Sequence, residues 1–297
     1  VYGQDDPLIA TRNPYYWKID PTGRQLPYID SVSMTLVPSK KAAGDAAIAG
    51  LVNMQERHVS NYAPEILAQN PDLQPFTLIE SDMNILTLSF NLNDKDPVLR
   101  KIFQTKDFRV ALSHAIDRDR IIDRFVPGAR PHQAAPRPES PLYHTVLARQ
   151  FINHDVELAE NLLNKIGLTR KNENGIILRP DGKPLSFTID TEGAGRFAMV
   201  DAIVQYWRAL GIDAKARHLP RDEFVALREA NDHQASAWGG DGGLDAMVIP
   251  INYLPMSSES SWYATGWAHW YLNSESIDAV TPPDIVQKQF SLYEELK

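Results

Sequence analysis

Residues able to do chemistry fall into three groups. In SHAIDRDR, His114 and Asp117 stand three apart, so on a helix they would share a face, and with Asp119 nearby they suggest a metal-binding set. The other reading is that Asp117 caps the helix that follows and His114 is packed or on the surface. His132, His144 and His154 lie in or near a proline-rich loop with no carboxylates at useful spacing, and Glu192 could act as a catalytic carboxylate but has no partner in the pattern. The third group is aromatic: five of the six tryptophans lie between residues 207 and 270. Trp207 falls inside a helical pattern and is expected in the core. Trp238 closes a strand just before GGDGGLD, with Asp241 three residues on, and Trp262, Trp267 and Trp270 follow in a loop-rich segment. A flat indole can stack on a sugar ring or cover an apolar side chain, and a carboxylate among glycines can hold an amino group. The alternatives are that these rings plug the underside of long loops and that Asp241 is ordinary turn chemistry.

Composition narrows the classes. The chain has 297 residues, enough for about two domains. Its formal net charge is -8, which argues against a nucleic-acid partner. There is no cysteine, so thiol catalysis, Cys-ligated zinc, iron–sulfur clusters and disulfides are excluded. No phosphate loop, HExxH helix or GxSxG elbow occurs, and GGDGGLD has the wrong spacing for a dinucleotide fingerprint. No catalytic residue, metal or cofactor is expected.

These candidates need elements to hold them. Residues 28–37 read as a strand, Ser39 as the cap of an Ala-rich helix to about Ala49, and residues 51–54, 76–79 and 85–91 as further strands with a short helix over 64–69. From Asp94 the pattern turns helical: residues 107–125, then a helix capped by Asp155 and ended by Gly167. After that, strand LSFTID, a helix over 197–210, a strand over 212–219, a helix over 221–230 and a strand over 235–238 alternate, which predicts helices covering a sheet. The chain starts at Val1 and its last residues, SLYEELK, read as mid-helix, so both ends are expected to be cut from a longer protein.

Five segments carry a resemblance. RNPYYWKIDPTGRQLPYIDSV, FNLNDKDPVLRKIFQTKDFRVALSHAIDRDRII, HDVELAENLLNKIGL with NGIILRPDGKPLSFTIDT, IVQYWRALGIDAKARHLPRDEFVALR and PPDIVQKQFSLYEEL resemble, in order, motifs of the family 5 extracellular solute-binding proteins of ABC importers, the oligopeptide- and dipeptide-binding type. The resemblance implies an α/β, periplasmic-binding-protein-like two-lobe fold. Residues 1–90 would be the later part of an incomplete lobe I and residues 91–297 most of lobe II, with the crossover near Asn91. By that resemblance Tyr15-Tyr16-Trp17 packs the approach to a lobe I strand.

The implied function is capture of an oligopeptide or small oligosaccharide between the lobes and delivery to an ABC permease, by a non-catalytic, monomeric protein in the periplasm or outside the cell, with or without a lipid anchor. A ligand-sensing domain of a transcription regulator is the alternative on the same fold. In the family's peptide binders an Asp three residues after a Trp pairs with the ligand's amino group, the spacing of Trp238 and Asp241. The family's peptide binders lack the double glycine followed by Gly242-Gly243, the linker DPTGRQLPYID resembles that of members that take oligosaccharides or sugar–amino acid conjugates, and the Trp-rich end suits a sugar. The expected ligand-binding residues are Trp238, Asp241, Trp262, Trp267 and Trp270.

Overall fold

A computed structural model describes residues 7–57, 63–70, 73, 74, 76, 78, 79 and 81–297. The chain divides into two compact units, Val1–Ile79 and Glu80–Lys297.

In the first unit, β1 (Leu8–Thr11) pairs antiparallel with β2 (Ser31–Met34), Leu8 opposite Met34. Between them Asp20 organises a turn: its carboxylate accepts from the backbone N–H groups of Thr22 and Arg24 and from the Tyr28 hydroxyl. Those bonds, Tyr28's first, hold the Asp20 carboxyl well below the usual range. Both strands are exposed along their whole length. So are Tyr15 and Trp17, at 90% and 79%, and the expectation that the aromatic triplet packs a strand is corrected for both. Helix α1 (Lys40–Ile48) begins at Ser39, whose hydroxyl accepts from the Ala42 N–H as the capping pattern predicts. Helix α2 (Ala63–Gln69) follows, and Asn70 beyond its end donates to the Ile48 carbonyl, tying the two helices. Residues 51–54 form no strand, and Leu51 and Met54 are exposed. Phe76, Leu78 and Ile79 lie outside any strand, and Thr77 lies outside the described residues.

The second unit is built on a four-stranded sheet of order β3-β6-β4-β5, formed by Thr87–Phe90, Ala235–Trp238, Ser186–Glu192 and Asp213–Leu219. β4 is parallel to both β5 and β6, and only β3 runs antiparallel, against β6. The mostly buried run of β4 is what a central parallel strand needs. Helices α3 (Pro97–Gln104), α4 (Lys106–Ala115), α5 (Arg118–Phe125), α6 (Thr145–Arg149), α7 (Val156–Lys165), α8 (Ala194–Ala209) and α9 (Arg221–Glu229) precede β6 in sequence, and α10 (Thr265–Leu272) and α11 (Asp284–Leu296) follow it.

The core lies between the sheet and α3, α4, α7 and α8. Phe90, Phe103, Phe108, Phe187 and Trp207 interlock there, with ring centroids such as Phe90–Phe103 at 5.1 Å and Phe103–Phe187 at 5.4 Å. Each such buried ring is worth roughly 1.5–3 kcal/mol of transfer free energy. Trp207 is 1% exposed, as its helical register predicts, and its indole N–H donates to the Leu112 carbonyl at 2.9 Å.

The helical run predicted over 107–125 is two helices. Ile116 is extended, and the Asp117 carboxylate accepts from the Arg120 N–H at 3.1 Å, capping α5. His114 is buried with Nδ1 2.8 Å from the Asn153 carbonyl. Asp155 caps α7, and Gly167 takes φ +82° where that helix ends. Helix α10 falls where the sequence predicts loop. Its cap position, Ala264, has no capping side chain, Gly266 sits inside it, and it is aromatic around most of its girth, so neither a start signal nor a period stands out. Among the described residues no helix is long and apolar enough to cross a membrane.

Candidate functional site

Because β4, β5 and β6 are parallel, their C-terminal ends form one edge, and in such sheets that edge is where ligands bind. Three residues emerge there close together in space. Trp238 is the last residue of β6. Arg196 is the third residue of α8, directly after β4. Arg221 is the first residue of α9, directly after β5.

Trp238 stacks on Phe224 of α9, centroids 5.8 Å apart and planes 25° apart. It meets Trp262 edge to face at 5.7 Å. The guanidinium carbons of Arg196 and Arg221 lie over the Trp238 ring, 4.1 and 4.5 Å from its centroid. Arg228, one turn along α9 from Phe224, lies 3.6 Å from the Trp262 centroid and 3.9 Å from that of Phe224. Each cation–ring contact is worth about 0.5–1 kcal/mol when exposed and about 2 when desolvated. Arg228 is only 3% exposed; its Nε donates to the Phe224 carbonyl, while one terminal nitrogen has no hydrogen-bond partner. Burial, and then the positive charge of Arg221, lower its pKa to about 10.

The loop that delivers Trp262 is fixed from inside. Ser261, fully buried, accepts from the N–H groups of Met256 and Ser257 and donates to the Ile251 carbonyl at 2.8 Å. The Trp262 indole donates to the Glu259 carbonyl at 2.6 Å. His233, buried just before β6, donates through Nε2 to the Trp262 carbonyl at 2.7 Å. A carbonyl only accepts, so Nε2 carries the proton. Burial lowers the His233 pKa; the Trp262 carbonyl and Asp190 oppose this and Arg228 adds to it.

Asp241 is half-buried, and among the described residues its carboxylate has no hydrogen-bond or ion-pair partner, although its carbonyl accepts from Asn252 at 2.9 Å. The glycines around it serve the protein's own backbone. Met83 N–H donates to the Gly240 carbonyl, and Gly243 N–H to the Ser81 carbonyl, both at 2.7 Å. A Cβ on Gly243 would stand 2.7 Å from the Asp82 backbone, and one on Gly239 would strike the Asp82 carboxylate. Gly240 and Gly242 take φ of +97° and +83°, a region closed to most side chains. Gly239, Gly240 and Gly243 thus make room for Asp82 and Met83, and Gly242 for the Ile249 carbonyl.

The other two candidates lie in α10. Trp267 is buried, 6% exposed, and its backbone N–H donates to Asn93 Oδ1. Asn93 and the fully buried Asn91 form a network with Asn231 that anchors the FNLN segment. Trp270 stacks on Phe290 of α11 at 6.2 Å. Among the described residues no ring contact joins either tryptophan to the Trp238–Trp262 pair. Glu192, at the end of β4, forms an ion pair with Arg196 at 3.2 Å. A hollow of about 300 Å³ lined by Arg118, Asp119, Pro131, Ile152, Asn153 and His154 includes none of the predicted site residues.

Residues 2–261 match the family described as bacterial extracellular solute-binding proteins, family 5 Middle. The chain belongs to that family. Among its relatives is the periplasmic alpha-galactoside-binding protein of Rhizobium meliloti (strain 1021), 28% identical over 205 residues, which are 62% of this chain and 28% of that protein. The oligopeptide-binding protein AppA of Bacillus subtilis (strain 168) is 26% identical over 258 residues, 84% of this chain and 44% of that one. Among solved structures, an oligopeptide-binding protein OppA matches with a TM-score of 0.71 and 28% identity, covering 97% of this chain and 49% of that chain. The stachyose complex of MelB from Agrobacterium fabrum C58 matches with a TM-score of 0.67 at 18% identity, covering 99% and 45%, a likeness of fold. The chain spans between 28% and 44% of the length of the curated relatives it matches. Family 5 membership fits the α/β layers of the second unit, and its members are solute-binding proteins.

The sequence reading missed Arg196, Arg221 and Arg228. The signal was present for two of them: each stands in the first turn of a helix directly after a parallel strand, where open α/β sheets place ligand contacts.

Proposed function

We propose that this protein is the substrate-binding component of an ABC importer. It captures an oligopeptide or small oligosaccharide between two lobes and delivers it to a membrane permease from the periplasmic or extracellular side. The first unit would supply the later part of lobe I and the second, whose sheet includes β3, most of lobe II, so that residues 80–90, which the sequence assigns to lobe I, go with lobe II. Closure is a population shift, because ligand gains contacts with both lobes only in the shut form. The observation that carries this reading is the aromatic cluster of Trp238, Trp262 and Phe224 at the C-terminal edge of the parallel strands, in a chain of family 5. Relatives named for α-galactosides and for oligopeptides support both solute classes and favour import over ligand sensing in a regulator.

Within the predicted set, Trp238 and Trp262 give the stacking surface, and Asp241, unpaired beside them in sequence, is the group for a ligand cation or hydroxyl. Trp267 and Trp270, carried by α10, complete the predicted ligand-binding set, although Trp267 is 6% exposed and Trp270 stacks on Phe290. The protein works as a monomer without cofactor, metal or nucleic acid, and it turns nothing over. A glycosidase would need two carboxylates about 5–9.5 Å apart across a cleft, and Glu192 is committed to Arg196.

The test is the thermal midpoint of this protein with panels of oligopeptides and of α-galactosides such as raffinose. Ligand at a hundred times its Kd stabilises by about 2.7 kcal/mol, a readily measured rise. No rise with any member of either panel would overturn the proposal, as would hydrolysis of a chromogenic α-galactoside.

A further inference from the structure

Three guanidinium groups gather around two indoles at one edge of the sheet, and like charges do not gather without cause. Among the described residues only Glu192 forms an ion pair with any of them, through Arg196. Arg221 is exposed with no carboxylate partner, and Arg228 is buried with one nitrogen unpartnered. The backbone adds to the positive field. Helices α8 and α9 both start at this edge, and neither Gly193 nor Pro220 supplies a capping side chain, so the first-turn N–H groups of both lack that cover. Asp222 and Glu223 in the first turn of α9, and Glu229 at its end, whose charge acts on Arg228, offset part of this field, yet none of the three forms an ion pair with Arg221 or Arg228 among the described residues. Among the described residues the three guanidinium groups have one ion-paired carboxylate between them, and they lie over the same rings on which the solute would stack.

We propose that Arg196, Arg221 and Arg228 form a subsite for an anionic group, a carboxylate or a phosphate, carried by a solute whose ring or apolar portion lies against Trp238 and Trp262. The inference rests on the solute-binding reading above and narrows its substrate class to anionic peptides or acidic sugar derivatives. A guanidinium held over an indole is held weakly compared with one making two charge-assisted bonds to an oxyanion. The solute's anion draws Arg221, the exposed member, off the Trp238 face. The same movement uncovers the part of the indole that Arg221 covers, with Arg196 still over the ring. Charge recognition and ring recognition are then one event, and a neutral solute would have to displace the arginine with nothing in exchange.

The experiment is a set of titrations of this protein followed by tryptophan emission. The probes are digalacturonate for carboxylate, galactose 1-phosphate for phosphate, raffinose and trialanine amide as ligands without an anionic group, and inorganic phosphate alone. The expected result is that at least one acidic sugar binds tenfold or more tightly than raffinose and trialanine amide. That affinity should fall steeply between 50 and 300 mM salt, and it should drop at least tenfold in Arg221→Gln and in Arg196→Gln. Both side chains reach the surface, so both variants are expected to fold, checked by an unchanged unfolding midpoint. Which acidic sugar wins separates carboxylate from phosphate. Raffinose or trialanine amide binding as tightly as the acidic probes, unaffected by Arg221→Gln, overturns the subsite and leaves the solute-binding reading standing. Inorganic phosphate binding with no sugar or peptide binding sustains the charge cluster and overturns solute capture. No binding by any probe overturns both.

Discussion

Two aromatic clusters in the second unit use the same residue types to opposite ends. One, built from Phe90, Phe103, Phe108, Phe187 and Trp207, sits between sheet and helices with no charged group over its rings among the described contacts. The other, Phe224, Trp238 and Trp262, stands at the C-terminal edge of the parallel strands and carries three guanidinium groups over its faces. The first cluster is satisfied by its neighbours, since its one polar atom, the Trp207 N–H, has a carbonyl to donate to. The second is left with positive charge that its own neighbours do not balance. Fully satisfied packing stabilises a fold, whereas an arrangement with interactions still to make is suited to binding.

The largest test of this contrast is truncation. Phe187→Ala in the first cluster should cost about 3–5 kcal/mol, read from urea unfolding. Trp238→Ala, at a half-buried ring, should cost about half of that or less while reducing solute binding. Equal costs would erase the distinction.

The next test is pH. Burial lowers the folded-state pKa of His233, so below about pH 6.5 the unfolded chain takes up the proton first. The His233 contribution to stability should be flat above that pH and fall as pH drops from about 6.5 towards the folded-state value, with His132, also lowered by burial, adding a slope of the same sign. Because His233 holds the Trp262 carbonyl, His233→Gln should flatten this slope in an unfolding series from pH 7.5 to 5. An unchanged slope would place the titration elsewhere.

A smaller effect separates the helices of the two regions. Asp155→Ala removes the cap of α7, on the core side, and should cost about 1 kcal/mol. The smallest is Arg221→Gln, at an exposed position, which should stay within about 0.5 kcal/mol of the parent in stability. A larger loss would make Arg221 a structural group.

Much of the second unit is legible in the sequence because its local signals agree. Asp155 and Gly167 frame α7, the turns at Gly175 and Gly182 precede β4, and Trp207 sits in register on α8. Helix α10 is illegible because its start lacks a cap and its faces are not segregated. The candidate site is half legible. Trp238 follows from its place at a strand end before a glycine-rich turn. The arginines do not, since a basic residue in a helix's first turn looks like a solvated surface charge until the parallel strands bring three elements to one edge. The glycines mislead in another way: their spacing signals close approach, and only the fold reveals that Asp82, Met83 and Ile249 are what approaches.

The most direct measurement is fluorine NMR of the protein labelled with 5-fluorotryptophan, its six resonances assigned by single Trp→Phe variants and followed during titration with the tightest-binding probe. The account predicts that the Trp238 and Trp262 signals shift most and together, while the Trp207 signal in the core stays in place. Saturation of binding without movement of Trp238 and Trp262 would contradict it.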